Sequence, residues 1–412
     1  MGKRELLLIG VFLVLGMGVY QMTAPPPKPG QEGFSFGRLF SHIRAEIQGE
    51  DARARVDRKA QQALDASVAR LTLPDFRGML TVIGEDRADI EVELHGMMAG
   101  IDEAVAKKRA EATQLTLEPE DDEIKVRISR PEETPRLRNA ELQVRVPARL
   151  AVTLEYRGEA EVRGVAEVKF QSARGRTNVR EVGAIRGEYV NGELEVLGAI
   201  EIDLKTQRTQ VRIDGVKKTL ALEAEHGEVH IQRVAGAMKL DLDRVECEAD
   251  AVKGETKART EHGSLTLRGI TAAAEITGDG TGLELIMASA VALSAETTGD
   301  ELMVELPKAG VTLDAVASHG RLRLPDRTID VKEGDDEQKS DAKIRGGGPT
   351  LRLRNEHGDI TVRDGGMMEH DSEAADHPRP PAPPPAPPPP PPGVPEPVEM
   401  PKPPSPRPNP RW

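Results

Sequence analysis

The side chains best suited to binding recur at one turn of a repeating pattern. They are arginines or histidines at equivalent places, and they recur about every 18 residues, with Asn191 in the one place between. Stacked repeats would line up these side chains as a basic stripe, and closely spaced cationic groups can hold a polyanion. The stripe comprises Arg157, Arg174, Arg208, His226, Arg244 and His262.

Two further observations bear on this stripe. The acidic residues Glu225, Asp243 and Glu261 flank it and would neutralise part of its charge. A glycine follows several of the basic residues, and glycine supplies the positive φ that a tight turn requires. The alternative interpretation is therefore structural, with the turn column serving the fold and binding nothing.

The same residues do not predict a metal site. The ligands of one ion must converge within a few ångströms, and arginine separates the histidines in the intervening repeats. Cys247 falls at an inward position and is interpreted as a buried hydrophobe rather than a nucleophile. The charged run from Glu333 to Glu337 lacks the alternating ligands and the closing glutamate of a calcium loop.

The sequence contains no recognisable catalytic motif. A phosphate-binding loop, a nucleophile elbow and a zinc-binding helix pair are all missing from the printed residues. A β-helix enzyme acting on polysaccharide would need carboxylates clustered on one face. The charged residues are instead spread over the outward positions, so we predict no enzymatic activity, no catalytic residue and no cofactor.

Composition narrows the choice of partners. The chain has 412 residues, a formal net charge of -13, and ten aromatic residues (six Phe, three Tyr and one Trp). So few rings argue against stacking-based binding of single strands, and the acidic balance argues against duplex binding. We predict no nucleic-acid partner and a core built from aliphatic side chains.

The elements that would position the stripe are short strands in residues 151–365. Three apolar columns repeat about every 18 residues at offsets that differ by two or three, which predicts strands with one buried face. The first column comprises Val165, Val182, Ala199, Val216, Val234, Val252 and Ile270. About eleven such rungs of 17–20 residues predict an all-β fold, a β-solenoid, interrupted by a charged insertion loop at 332–348.

Both ends of the chain differ from the repeats. Residues 1–24 predict a transmembrane signal anchor, with a cleaved signal peptide as the alternative. A Pro/Gly linker (25–36) and a juxtamembrane helical segment (37–72) follow. Residues 366–412 predict a disordered proline-rich tail that could present a docking peptide. The basic flank of the anchor predicts a single-pass protein of the inner or cytoplasmic membrane, with its C-terminal bulk periplasmic or extracellular.

Residues 73–150 predict a β cap with one short helix, covering the open edge of the first rung. Residues 79–83 and 90–94 are interpreted as a hairpin. Further strands are predicted at 115–117, 124–128 and 142–146, and a short amphipathic helix or loop at 101–113.

The runs RGMLTVIGEDRADIEVEL and ELQVRVPARLAVTLE, followed by units such as EHGEVHIQRV and EHGSLTLRGI, carry a resemblance. Over roughly Leu73 to Arg363 the chain resembles the bacterial putative-adhesin β-solenoid family, a domain of unknown function. The resemblance implies a membrane-anchored protein of the cell envelope, and it brings no catalytic residues.

The leading hypothesis is a non-enzymatic, adhesin-like scaffold or presentation rod anchored in the membrane. A second hypothesis is a module that binds an envelope polymer or senses stress through the basic stripe. A polysaccharide-active enzyme and a polymerising cytoskeletal β-helix are the remaining alternatives. The tail adds a candidate protein partner, and the oligomeric state is left open.

Overall fold

The computed structural model describes residues 52–365, apart from 66, 131–136 and 327–328. Within these residues the fold is all-β: 23 strands belong to one large sheet, and a single helix accompanies them. The all-β prediction is confirmed. The predicted signal anchor (1–24), linker (25–36) and tail (366–412) lie outside the described residues.

The predicted localisation in a membrane is contradicted. No helix in the described part of the chain is long and apolar enough to cross a bilayer. The one helix there, α1 (Glu103–Ala112), has ten residues. At 1.5 Å per residue it spans about 15 Å, half of the roughly 30 Å hydrocarbon core.

The first seven strands and the helix form the N-terminal part. In chain order these elements are β1 (Ala52–Ala63), β2 (Arg70–Thr72), β3 (Phe76–Glu85), β4 (Asp89–Gly100), α1, β5 (Gln114–Glu120), β6 (Glu123–Ser129) and β7 (Arg138–Pro147). The predicted strands at 115–117, 124–128 and 142–146 and the short helix are all present.

The remaining strands carry the repeats. They are β8 (Ala151–Leu154), β9 (Tyr156–Arg163), β10 (Glu167–Val234), β11 (Met238–Asp250), β12 (Thr256–Glu261), β13 (Ser264–Ile270), β14 (Ala274–Asp279), β15 (Gly282–Met287), β16 (Leu293–Thr298), β17 (Leu302–Leu306), β18 (Val311–Ser318), β19 (Leu322–Arg323), β20 (Lys332–Glu333), β21 (Glu337–Ile344), β22 (Thr350–Glu356) and β23 (Ile360–Asp364).

The repeats pair in parallel at the predicted spacing. Leu222 of β10 lies beside Leu240 of β11, and Cys247 of β11 lies beside Leu265 of β13. Every member of the first predicted apolar column is buried, with at most 4% of its surface exposed. The inward columns are therefore confirmed, and they form one continuous aliphatic core.

β10 is 68 residues long because its ladder continues around corners. The backbone turns at residues with left-handed φ, among them Glu181, Gly198 and Gly215, which occupy the same corner in successive repeats. A strand bends sharply where φ is positive, so one uninterrupted strand passes through several repeats.

The predicted helical segment, residues 37–72, is wrong where the structure describes it. β1 pairs antiparallel with β4 along its whole length. Alanine, arginine and lysine favour helices in isolation, but apolar and charged residues alternate from Ala52 to Asp57, which is the period of a strand. Pairing with β4 and burial of Val56 decide between the two tendencies.

The predicted hairpin at 79–83 and 90–94 is also wrong. Both strands exist as β3 and β4, but β7 lies between them. It pairs in parallel with β3 and antiparallel with β4. Leu142 and Val144 of β7 are fully buried, and this apolar strand occupies the position between the arms of the predicted hairpin.

At both ends of the repeats the spatial order departs from the order in sequence. At the N-terminal end, β2 lies between β6 and β8, and β3 lies between β7 and β9. At the C-terminal end, β22 lies between β16 and β18, and β23 lies between β17 and β19. The first rung in the sequence, β2 and β3, is therefore covered by the later strands β6 and β7. The last rung, β22 and β23, is covered by the earlier strands β18 and β19.

The predicted insertion loop at 332–348 is mostly sheet. β21 pairs antiparallel with β18, from Val311 beside Ile344 to Ser318 beside Glu337, and the short β20 pairs with β21. The charged composition suggested a solvated loop, but Ser340 and Ile344 are buried against β18. The insertion therefore covers the free edge of the outermost rung.

Candidate functional site

The basic turn column lies along one corner of the stacked rungs. Four of its members adopt left-handed backbone conformations with φ between 49° and 56°: Arg208, His226, Arg244 and His262. At Arg157 and Arg174 the positive φ falls on the following residue, Gly158 or Gly175. Glycine therefore supplies the positive φ as expected at Gly158, Gly175 and Gly227, and in the later repeats the basic residues adopt it as well.

The glycines that follow His226 and His262 are required by close backbone approach. A Cβ on Gly227 would lie 2.2 Å from the carbonyl oxygen of Thr209, and one on Gly263 would lie 2.2 Å from that of Val245. Backbone atoms cannot move aside as a flexible side chain can, so only glycine fits. The column has a structural role whether or not it binds a ligand.

All six predicted stripe residues are exposed. Arg157 and Arg174 are direct partners in the parallel ladder. Glu225 lies beside Asp243 and Asp243 beside Glu261, so the basic residues that follow them occupy successive rungs. Adjacent rungs are about 4.8 Å apart, and the structure therefore brings the stripe together along one edge.

Acidic neighbours neutralise the C-terminal half of the stripe. Asp243 accepts from Arg244 at 3.1 Å and lies 3.9 Å from His262. Glu261 pairs with Arg259 at 2.6 Å, and this carboxylate raises the pKa of the arginine. Within the described residues, the members of the column without an ion pair are therefore Arg157, Arg174, Arg208 and His226.

The structure also assembles one group of metal-ligating types that the sequence reasoning missed. Ligand atoms of Asp243, Glu261 and His262 lie within 4.8 Å of one another. An Asp placed one repeat before a Glu-His pair was the available signal, since that spacing stacks them on neighbouring rungs. Arg244 and Arg259 already pair with the two carboxylates, so the group resembles a surface ion-pair network.

A shallow groove of about 350 Å³ lies on the outward face of β10 and β11. Its polar lining comprises Glu195, Arg212, Asp214, His230, Gln232, Glu248 and Asp250. Ion pairs occupy most of these groups: Asp214 pairs with Arg233, and Arg268 lies 3.8 Å from Glu248 and 3.6 Å from Asp250. Paired carboxylates of this kind are poorly placed for general acid or base catalysis.

Cys247 is 1% exposed, and burial raises the pKa of its thiol to about 12. A nucleophilic cysteine needs a thiolate in a partly exposed, electropositive environment. The interpretation of Cys247 as a buried hydrophobe is confirmed.

Comparisons with known proteins give matches at the level of structure only. No protein-family model matches the sequence, and no curated protein matches it. One similar solved structure is a putative cell adhesion protein from Clostridium sporogenes, with 12% identity and a TM-score of 0.19, covering 75% of this chain and 100% of that chain. Another is a putative adhesin from Parabacteroides distasonis, with 10% identity and a TM-score of 0.27, covering 77% and 98%.

A third similar structure is a putative lipid binding protein from Parabacteroides distasonis, with 11% identity and a TM-score of 0.26, covering 74% of this chain and 96% of that chain. Two of these three proteins are named as putative adhesion proteins. Their identities and TM-scores are too low to support an inference about function.

Proposed function

We propose that the chain is a non-enzymatic, adhesin-like scaffold built as a β-solenoid. The observation that carries the proposal is the parallel register, in which each strand lies beside the equivalent strand of the next repeat along two separate ladders. Two corners with left-handed φ recur in every central repeat and join those ladders. This arrangement supports one coil per repeat.

The outward columns of such a coil repeat at every rung. Opposite charges along them pair between neighbouring rungs, as in Arg176 with Glu193 at 2.7 Å and Arg186 with Glu201 at 3.5 Å. A surface that repeats regularly suits an extended partner better than a small substrate, because each rung offers the same groups again. This supports presentation or adhesion as the function.

A specific observation favours a binding role at the turn edge. The exposed arginines at 157, 174 and 208 carry unneutralised charge along one line, and an anionic polymer can contact several of them together. The binding module of the second hypothesis is therefore the candidate activity of the scaffold, with the proposed stripe as its site.

The test replaces four stripe arginines together, R157S/R174S/R208S/R244S, and measures binding of inorganic polyphosphate at low and rising salt. The matched control, R176S/R186S/R212S/R268S, removes the same charge from ion-paired arginines elsewhere. We expect the stripe variant to lose roughly tenfold in affinity and to show a flatter salt dependence. An equal loss in both variants would show that only net charge matters and would refute the stripe.

A further inference from the structure

The last rung of the chain fills a slot whose two walls come from earlier residues. β22 pairs in parallel with six residues of β16 and with seven residues of β18. β23 pairs in the same direction with β17 and β19. Both walls of the slot, residues 293–323, precede the rung that fills it.

Both walls accept the same strand in the same register. Leu351 lies beside Leu293 on one side and beside Leu313 on the other. The inward side chains of the inserted rung, Leu351, Leu353, Ile360 and Val362, are at most 2% exposed. The slot is therefore complementary to this segment wherever the segment comes from.

The rung reaches its slot through a tight crossing. β21 and β22 lie on opposite sides of β18, so residues 345–349 (Arg-Gly-Gly-Gly-Pro) must pass over the start of that strand. Arg345, Gly346 and Gly347 have φ of 50°, 87° and 81°. Three successive left-handed residues are rare, and the arginine adopts this conformation at a cost.

Contacts beneath the crossing are just as close. A Cβ on Gly310 would lie 2.4 Å from the carbonyl oxygen of Arg345, and a Cβ on Gly348 would lie 2.2 Å from that of Gly310. The closed connection thus depends on glycine in both of the segments that cross, at Gly310 and at Gly348. An extended hinge would relieve the left-handed turn and both close contacts.

We propose that β22 and β23 are an exchangeable rung, which inserts into the slot of a second copy of this chain. Reciprocal insertion forms a closed dimer. All ladder and core contacts of the rung are recovered in the partner because the two sequences are identical. Only the hinge conformation and the entropy of association differ between the two forms.

Cysteine pairs report which chain fills the slot. Ser294 of β16 and Arg352 of β22 are direct partners on the outer surface. Neighbouring parallel strands place such residues within disulfide range. Full-length S294C and R352C chains are mixed, incubated with gentle warming and oxidised. Exchange produces a covalent dimer of twice the monomer mass on a non-reducing gel.

Two controls accompany this measurement: one tests for non-specific cross-linking, and the other checks the strand register. A mixture of E275C and S294C probes β14 and β16, which neighbour each other in the same way but do not exchange. The double variant S294C/R352C, oxidised without warming, should form its bond within one chain, which verifies the register. We expect covalent dimer only from the S294C and R352C mixture, increasing with protein concentration.

A hinge variant sharpens the test. In the exchanged form Gly348 no longer crosses Gly310, so G348A should raise the dimer association constant by roughly tenfold or more. G282A is the matched substitution, since its Cβ would meet nothing within 4 Å. The proposal is overturned if the mixture yields no more dimer than the E275C control, with or without G348A. Failure of the double variant to form any disulfide, within or between chains, would overturn it as well.

Discussion

The glycines that follow residues of the turn column, such as Gly192 after Asn191, allow a quantitative test of how the rungs stack. Gly192 lies in β10, and its backbone is not left-handed. A Cβ at this position would lie 1.9 Å from the carbonyl oxygen of Gly175 and 2.8 Å from the backbone nitrogen and carbonyl carbon of the same residue. G192A therefore tests close approach alone, without any change in the preferred φ.

The expected cost follows from these contacts. All three neighbours are backbone atoms in the adjacent rung, so the rungs must separate locally to admit the methyl group. Overpacking of this kind costs about 3 kcal/mol of unfolding free energy, at the upper end of the usual range. Two comparison variants separate the contributing effects.

G198A tests the turn conformation, because Gly198 has φ of 77° and its nearest Cβ contact would be at 3.9 Å. We expect it to cost about 1 kcal/mol from the left-handed backbone alone. G282A tests neither effect and should gain about 0.5 kcal/mol, because alanine restricts the unfolded chain.

Urea unfolding followed by circular dichroism measures the series. The midpoint should fall most for G192A, less for G198A, and should not fall for G282A. A G192A protein as stable as G282A would refute the close-approach explanation. A larger loss in G198A than in G192A would show that turn conformation constrains the rungs more than close approach does.

Three further predictions concern the cap and the core. Arg58 donates to carbonyl oxygens at the C-terminal end of α1, so R58A should cost about 1–3 kcal/mol and speed amide exchange in that helix, whereas R53A should leave exchange unchanged. The Arg87 guanidinium, with help from Gln61, lowers the pKa of Asp89 to about 2. The ionised Asp89 stabilises the fold above the pKa that this carboxyl has in the unfolded chain, and the stabilisation is lost as pH falls toward 2. R87M should therefore raise the pKa of Asp89 in an NMR titration, and an unchanged pKa would contradict the pairing. The Cys247 thiol should stay unreactive toward a thiol reagent until the protein unfolds, and full labelling of the native protein would contradict its burial.

The N-terminal region shows where sequence patterns are ambiguous. The segment that forms β1 contains good helix formers, yet it also alternates between apolar and charged residues. Local preference and periodicity disagree there, and the pairing with β4 decides. For β3 and β4 the strands themselves were predictable from their alternation. Their neighbours were not, because short separation in sequence suggested a hairpin that β7 prevents.

The candidate site was predictable in part. Equal spacing in sequence predicts that the stripe residues align, and the ladder aligns them. The ion pairs that divide the stripe into a neutralised and a free half depend on side-chain geometry across rungs. The spacing of Asp243 from Glu261 and His262 signals that they stack, and the structure adds that their ligand atoms converge within 4.8 Å.

The sequence by itself determined what each repeat is: which residues face inward, where the corners fall, and that the core is aliphatic. These properties are local, because they follow from a two-residue alternation within each strand. Only the tertiary structure decided which rung lies beside which at the two ends. Every rung carries the same inward pattern, so β18 or β22 could each pair with β16, and the periodicity cannot distinguish them. The choice depends on the glycines of the crossing and on edge strands such as β21, whose antiparallel pairing with β18 is a tertiary contact.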